Sequence, residues 1–203
     1  MLTLNPSFAD SEIAESPALL VRAQEGDSDS FCQLCRIHGN GLVRQATVLC
    51  SDASLAEDLA QETLFEAWKC IRRYNGQCRF FTWLCAILLN RYRNVLRRKR
   101  PVAITALVPA DREGAQSLLE RLPDEAPWPD EASAQAERAA SLRCCIDRLP
   151  PKHRQVIYLR FYVDDSLEGI AAALDCSVGT VKSRLFYAIE QLRAMAGREP
   201  GLD

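Results

Sequence analysis

Proline decides how this chain can fold. Residues 101–131 hold five of its ten prolines, and a proline inside a helix removes a hydrogen bond and clashes with the preceding turn. The same stretch carries seven acidic residues against two arginines, Arg112 and Arg121. It reads as an acidic linker, mostly extended, with one helical turn at "AQSLLERL". The chain is thereby split into two blocks. Both are rich in helix signals and nearly empty of strand signals.

Helix punctuation is clear in each block. In "SPALLVRAQEGD", Ser16 suits an N-cap, Pro17 the first helical position and Gly26 a stop. A second helix is expected from about Ser30 to Cys50. A third starts at Ser54, with Glu57 completing a capping box, and runs through "LAEDLAQETLFEAWKCIRR". "YNGQCR" is a loop, marked by Asn75-Gly76. A fourth helix spans about Thr82 to Arg100 and ends at Pro101. Past the linker, one helix covers "EASAQAERAASLRCCIDRL" and stops at Pro150-Pro151, and another covers "KHRQVIYLRFY". "DSLEGIAAALDCSVGTVKSRLFYAIEQLRAM" gives two more, with a break at Asp175-Cys176-Ser177. The fold class that follows is all-α: two small helical domains joined by a flexible acidic linker. The expected division is an N-terminal extension at 1–15, a domain at 16–100, the linker at 101–131, a domain at 132–196 and a tail at 197–203.

With 203 residues, each domain can bury a modest core. No apolar run reaches the roughly 18 residues of a membrane span, so no direct membrane insertion is expected. "MLTLNPSFADSEIAES" is acidic and lacks the basic start of a secretion signal. The expected location is the cytoplasm. There the nine cysteines stay reduced and mostly act as small hydrophobes.

The net charge of −2 hides a strong local asymmetry. "NRYRNVLRRKR" places six of the 25 basic residues in eleven positions, directly after the apolar "FFTWLCAILL". A helix of this kind is anchored by its first half and presents its basic end. Phe81, Trp83, Leu84, Ile87, Leu88 and Val95 are the expected anchors.

The C-terminal stretch is patterned differently. Asp165 suits the cap of the first of its two last helices, with Glu168 following. Ile170, Ala171 and Leu174 form an inner face. Ser177 suits the cap of the last helix. Val178, Val181, Leu185, Ile189 and Leu192 repeat at spacings of three and four and mark its buried stripe. The other side presents Thr180, Lys182, Ser183, Phe186 and Tyr187. A plain helical hairpin has the same outline. "SVGTVKSRL" favours a helix-turn-helix, because its polar and basic residues lie where a helix docked in a major groove needs donors.

Three stretches carry a family resemblance. "DASLAEDLAQETLFEAW" resembles region 2.2 of a bacterial sigma factor of the extracytoplasmic-function group. "FFTWLCAILLNRYRNVLRRKR" resembles regions 2.3 and 2.4, and "LPPKHRQVIYLRFYVDDSLEGIAAALDCSVGTVKSRL" resembles region 4. The likeness runs from about Leu19 to Leu192, with the motifs in the family's order and at its separation. It implies a transcription initiation factor whose partners are core RNA polymerase, promoter DNA and an anti-sigma factor, often membrane-bound. It makes 16–100 sigma region 2 and 132–196 sigma region 4.

The resemblance also implies site residues. Asp58, Gln61 and Glu62 would meet a coiled coil of the polymerase clamp, with Leu59, Leu64, Ala67 and Trp68 as the core side of their helix. The loop "YNGQCRF" would pocket a flipped base of the minus-10 element, which brings in Asn75, Arg79 and Phe80. Trp83, Asn90, Arg91 and Asn94 would lie near bases, and Arg97, Arg98 and Arg100 near phosphates. For the minus-35 element the matching positions are Thr180, Lys182, Ser183, Arg184, Phe186 and Tyr187. Two departures stand out. The family commonly has a basic residue at Tyr187 and often another at Ile189, so this recognition helix is less basic. The turn often has glycine at Asp175. The acidic linker would run toward the polymerase active site and RNA exit path.

No catalytic motif appears: no Walker loop, nucleophile elbow or paired-His zinc motif. An enzyme is not expected, and no cofactor is implied. Cys32, Cys35 and His38, spaced by three, are the one set that invites a zinc or thiol-sensor reading, but no fourth ligand is evident. A stand-alone helix-turn-helix regulator is the competing reading. It leaves "AEDLAQET" and the basic fourth helix unexplained.

Overall fold

The computed structural model describes residues 17–50, 52–99 and 131–196. They form eight α-helices and no strand among the described residues: α1 (Pro17–Glu25), α2 (Ser28–Cys50), α3 (Ala53–Cys70), α4 (Phe80–Lys99), α5 (Glu131–Arg148), α6 (Pro151–Phe161), α7 (Leu167–Ala173) and α8 (Val178–Ala196). A single 3₁₀ turn, Ile71–Arg73, follows α3. The termini, Ser16, Arg100 and the linker with its "AQSLLERL" turn lie outside the described residues.

Local polar contacts set several helix starts, and those of α2, α3 and α7 differ from the sequence reading, as does that of α4, which begins at Phe80 rather than about Thr82. α2 begins at Ser28, where the Asp27 carboxylate accepts from the Asp29 N–H at 3.1 Å and the Ser30 hydroxyl at 2.5 Å. α3 begins at Ala53, not Ser54. Its cap is Asp52, extended at φ −130°, which accepts from the Leu55 N–H at 3.0 Å. α7 is capped by Ser166, whose hydroxyl accepts from the Gly169 N–H at 2.9 Å. Asp165, the expected cap, is one residue too early and turns elsewhere. The α8 cap is Ser177 as expected, accepting from the Thr180 N–H at 3.1 Å. Asp175 takes the left-handed conformation at φ 50°, the conformation that favours glycine at that turn.

α4 organises the core. Phe80, Leu84 and Leu88 recur every four residues and are essentially inaccessible. Cys85, Ala86, Leu89 and Tyr92 are buried as well, so most of the helix circumference is covered. α2 and α3 pack on one side, and α6 and α7 on the other. Phe80 seats against His38 of α2, ring centres 5.5 Å apart. From the C-terminal half, Val156, Leu159, Val163, Ile170 and Val181 join the same hydrophobic cluster as Leu34, Leu42 and Leu59. A smaller cluster of Ile146, Leu149, Ile157 and Ala188 ties α5 and α6 to α8. The expected anchors Leu84 and Leu88 are fully buried, while Phe81, Trp83, Ile87 and Val95 pack on the core only in part.

The two halves also meet through polar groups. Tyr158 is buried, and its hydroxyl donates to Gln45 Oε1 at 2.6 Å and lies 2.9 Å from the Gln45 carbonyl oxygen. The Gln45 Nε2 donates to the Tyr162 carbonyl at 3.3 Å.

The cap assignment gives a direct test. Asp52→Ala should cost about 1 kcal/mol of stability, the usual loss of an N-cap oxygen, and exposed Ser54→Ala well under that. Urea unfolding followed by circular dichroism separates the two. A larger loss at Ser54 would return the cap to that residue.

Candidate functional site

Three exposed surfaces contain the residues singled out in the sequence. The first is on α3. Ala56, Leu59, Ala60, Thr63 and Ala67 are buried, and Leu64 and Trp68 are half-buried; Trp68 packs on Phe31 at 4.9 Å. Asp58, Gln61 and Glu62 are exposed together on the opposite side. Phe65 stands in line with them and is 62% exposed. Lys69 Nζ lies 4.2 Å from its ring centre. The sequence reading missed Phe65, although its spacing from Asp58, Gln61 and Glu62 puts a large aromatic on the polar face. Glu66 is turned toward α4, where it pairs with Arg91, and lies 3.6 Å from Lys69.

The second surface is the loop after the 3₁₀ turn together with α4. The Tyr74 hydroxyl donates to the Cys78 carbonyl at 2.6 Å, and the Gln77 N–H donates to Asn75 Oδ1 at 3.1 Å. Gly76 supplies the positive φ, 71°, that this tight loop requires. Gln24 of α1 donates to the Tyr74 carbonyl at 2.5 Å and holds the loop from behind. Asn75 is exposed at its tip. Trp83 is half-buried on a bed of Tyr74 and Phe80, with ring centres 5.5 and 5.6 Å away.

Phe80, which the resemblance brings in with the loop, is buried here: only 1% of its surface is accessible. Three residues on a helix are a rotation of about 300°, so Trp83 stands about 60° around from Phe80: Phe80 turns into the core and Trp83 is left at the rim. On α4 itself, Trp83, Asn90, Asn94 and Arg97 recur at spacings of seven, four and three, so they share a face. Arg91 and Arg98 flank it. Arg97 and Arg98 are exposed, and Arg100 lies outside the described residues. Two members of the set are already engaged by the C-terminal half. Asn90 Oδ1 accepts from Gln155 Nε2 at 3.1 Å. Arg79 donates to the Asp165 carboxylate at 3.3 Å and to the carbonyls of Val163 and Asp164 at 3.0 and 2.8 Å.

The third surface is on α8. Val181 and Ala188 are fully buried and fix the helix. Lys182, Ser183, Phe186 and Tyr187 are exposed on one face. Phe186 and Tyr187 are 61% and 58% exposed and meet edge to face at 5.6 Å, a contiguous apolar patch among donors. The Ser183 hydroxyl donates to the Thr180 carbonyl at 3.0 Å, and the Thr180 hydroxyl lies 2.9 Å from that of Ser177. Arg184 is turned to the flank, its Nη1 3.9 Å from Cys176 Sγ, so it stands apart from that face.

The cysteine set is not brought together as a metal site. Cys32 is exposed, Cys35 is half-buried, and His38 is buried between Phe80 and Phe81. Burial pushes the Cys35 thiol up to about 11, the wrong direction for a thiolate ligand. Among the described residues no group of three or more His, Cys, Asp or Glu could hold a metal ion. All nine cysteines are free thiols. Among the described residues no helix is long and apolar enough to cross a membrane.

Two family models match the chain: Sigma-70 region 2 over residues 34–102 and Sigma-70 region 4 over residues 145–194. The RNA polymerase sigma-H factor of Pseudomonas aeruginosa is 32% identical over 178 residues, covering 86% of this chain and 90% of that protein. The ECF RNA polymerase sigma-E factor of Haemophilus influenzae is 31% identical over 177 residues, covering 86% and 92%. Among solved structures, the sigma factor RpoE in complex with the anti-sigma factor NepR from Bartonella quintana has the same fold. It is 24% identical with a TM-score of 0.51, covering 81% of this chain and 95% of that one.

The thiols should separate by burial under alkylation at mildly alkaline pH. Exposed Cys32 and Cys144 should react first. Cys35 and Cys78, each held up to about 11 by desolvation, should lag. Fully buried Cys85 should react only on unfolding. Mass-spectrometric mapping of the modified peptides over time reads this order, and early loss of Cys85 would contradict the packing of α4.

Proposed function

The chain belongs to the extracytoplasmic-function RNA polymerase sigma factors, and we propose that its three exposed surfaces divide the work of such a factor. Sigma region 2 is assigned to 16–100, sigma region 4 to 132–196 and the linker to 101–131. The α3 stripe of Asp58, Gln61 and Glu62 docks on core polymerase, with Phe65 as its apolar anchor. An exposed aromatic ringed by polar groups is the common build of an interface hot spot.

The loop and α4 take the minus-10 element. An unstacked base needs an aromatic platform and nearby hydrogen-bonding groups. Trp83, supported from below by Phe80 and Tyr74, offers the platform, and Asn75, Asn90 and Asn94 offer the groups. Arg97 and Arg98 lie along the same helix for the phosphates. Arg79 and Arg91 serve this surface when their present partners release them. The α8 face takes the minus-35 element in a major groove. Lys182 donates, and the Phe186 and Tyr187 rings suit thymine methyl groups. The factor catalyses nothing itself and acts in the cytoplasm. The Bartonella protein is in complex with an anti-sigma factor, and control by an anti-sigma partner is proposed here.

The observation that carries this reading is the shared face of Trp83, Asn90, Asn94 and Arg97 on one helix that also bears the basic end. Run-off transcription tests it. The protein is mixed with bacterial core polymerase and pooled genomic promoter fragments, and transcript starts are mapped. New starts that require the protein and share two spaced upstream motifs are expected. No transcription, alongside tight duplex binding by the protein alone, would make it a stand-alone regulator.

Two substitutions refine the assignment. Phe65→Ala should weaken binding to core polymerase roughly tenfold while leaving DNA contacts alone. Lys182→Ala should weaken binding of the holoenzyme to minus-35 DNA and lower the logarithmic salt slope by about 1.

A further inference from the structure

Asp165 is an acid with only 7% of its surface accessible. Its carboxylate is built into the seam between the two halves of the chain. It accepts from the Thr82 hydroxyl, from Arg79 Nε at 3.3 Å and from the Ser166 N–H at 2.7 Å. Thr82 is itself fully buried. The first two donors come from the start of α4, more than eighty positions away.

The rest of the turn is shaped around this carboxylate. Arg160 donates to the Asp165 carbonyl at 2.8 Å. Asp164 is held at φ 53°, a conformation that L-residues rarely adopt. Its carbonyl accepts the second arm of Arg79 at 2.8 Å. Gly169, one turn into α7, leaves the space that the carboxylate occupies. A Cβ there would stand 2.6 Å from Asp165 Oδ1 and 2.9 Å from its Cγ. A side chain at 169 and a carboxylate in this position exclude one another.

Arg79 and Asn90 are both members of the surface assigned above to minus-10 DNA. Both are bonded to the C-terminal half instead, Arg79 to the 163–165 turn and Asn90 to Gln155. We propose that the Asp165 carboxylate, seated over Gly169, latches the chain in an autoinhibited state in which its own region 4 withholds Arg79 and the start of α4 from DNA. The latch joins the two halves of the chain. Its functional consequence rests on the minus-10 reading of Arg79 and Asn90. Promoter engagement then requires the latch to open, and Arg79 exchanges a carboxylate and two carbonyls for phosphate or base acceptors.

Small-angle X-ray scattering of the full chain tests the latch without polymerase or promoter. The series is wild type, Asp165→Ala, Gly169→Ala and the double variant. Gly169→Ala is the informative one. Alanine favours a helix over glycine, so α7 is retained while the new Cβ displaces the carboxylate. Both single variants should raise the radius of gyration with helical circular dichroism unchanged. The double variant should match Asp165→Ala, because without the carboxylate the Cβ has nothing to displace. If Asp165→Ala loses helix, Gly169→Ala decides alone.

The same proteins are titrated against a short fluorescein-labelled single-stranded DNA of random sequence. Expansion with several-fold tighter DNA binding supports autoinhibition. Expansion with unchanged DNA binding overturns the minus-10 reading and with it the inhibitory role, while the latch stands. An unchanged radius of gyration in Gly169→Ala overturns the latch itself.

Discussion

The structure depends on α4 being covered on both sides. Its first half is too apolar to face water, and α2 and α3 cover only part of it. α6 and α7 cover most of the rest, so one hydrophobic cluster runs through both halves of the chain. This arrangement determines which surfaces are left for other work. Where α4 is enclosed, its residues are core: Phe80, Leu84, Cys85, Leu88. The line from Trp83 to Arg97 runs along the margin of that enclosure. A cleft of about 980 Å³ opens where the basic end leaves the core, between Leu96 and Arg97 of α4 and Leu149, Pro150 and Arg154.

Region 4 is held differently. Its own core is small, and α8 is fixed by Val181 and Ala188 and the cluster around Ile157. This leaves the face of α8 that bears Lys182, Phe186 and Tyr187 exposed. Neighbouring lysines or arginines are few there, so on the proposed minus-35 role of α8 the electrostatic share of its DNA affinity is small, and shape and methyl contacts carry more of it. That balance is a property of this chain's sequence, set by Tyr187 and Ile189 where the family often has basic residues.

Much of the plan was legible in the sequence. Spacings of three and four, with Pro17, Gly26, Pro101 and Pro150-Pro151 as punctuation, placed the elements within a few residues. The errors share a cause. Asp52 and Ser54, or Asp165 and Ser166, are equally good caps by composition, and only the backbone φ and ψ at each position choose between them. Phe80 and Trp83 are both aromatic and three apart, so helix phase assigns one to the core and one to the rim. Phase was readable for Phe65, whose spacing from Glu62 and Asp58 places it outside. The contacts of Arg79 with Asp165 were not readable, because no local pattern links positions so far apart in the chain.

The seam between the halves has the energetics of a switch. Its polar contacts, Tyr158 with Gln45, Asn90 with Gln155 and Arg79 with the 163–165 turn, all exchange protein partners for water on opening. The two neutral contacts then contribute only about 0.5–1.5 kcal/mol net each, and the charged Arg79 contact about 1.5–3 kcal/mol. Together they come to a few kcal/mol, and the apolar contacts of α4 with α6 and α7 add to them. Converting a closed population almost completely to an open one takes a preference of about 5.5 kcal/mol from the binding partner. A polymerase-sized interface supplies that amount from a few hot-spot residues, whereas a few phosphate contacts at physiological salt fall closer to the cost of opening. The order that follows is polymerase first and promoter second. A seam made of hydrophobic contacts alone would be harder to open, and one of surface ion pairs alone would not stay closed. A buried carboxylate with a half-exposed arginine, side-chain exposures 8% and 54%, lies between those limits.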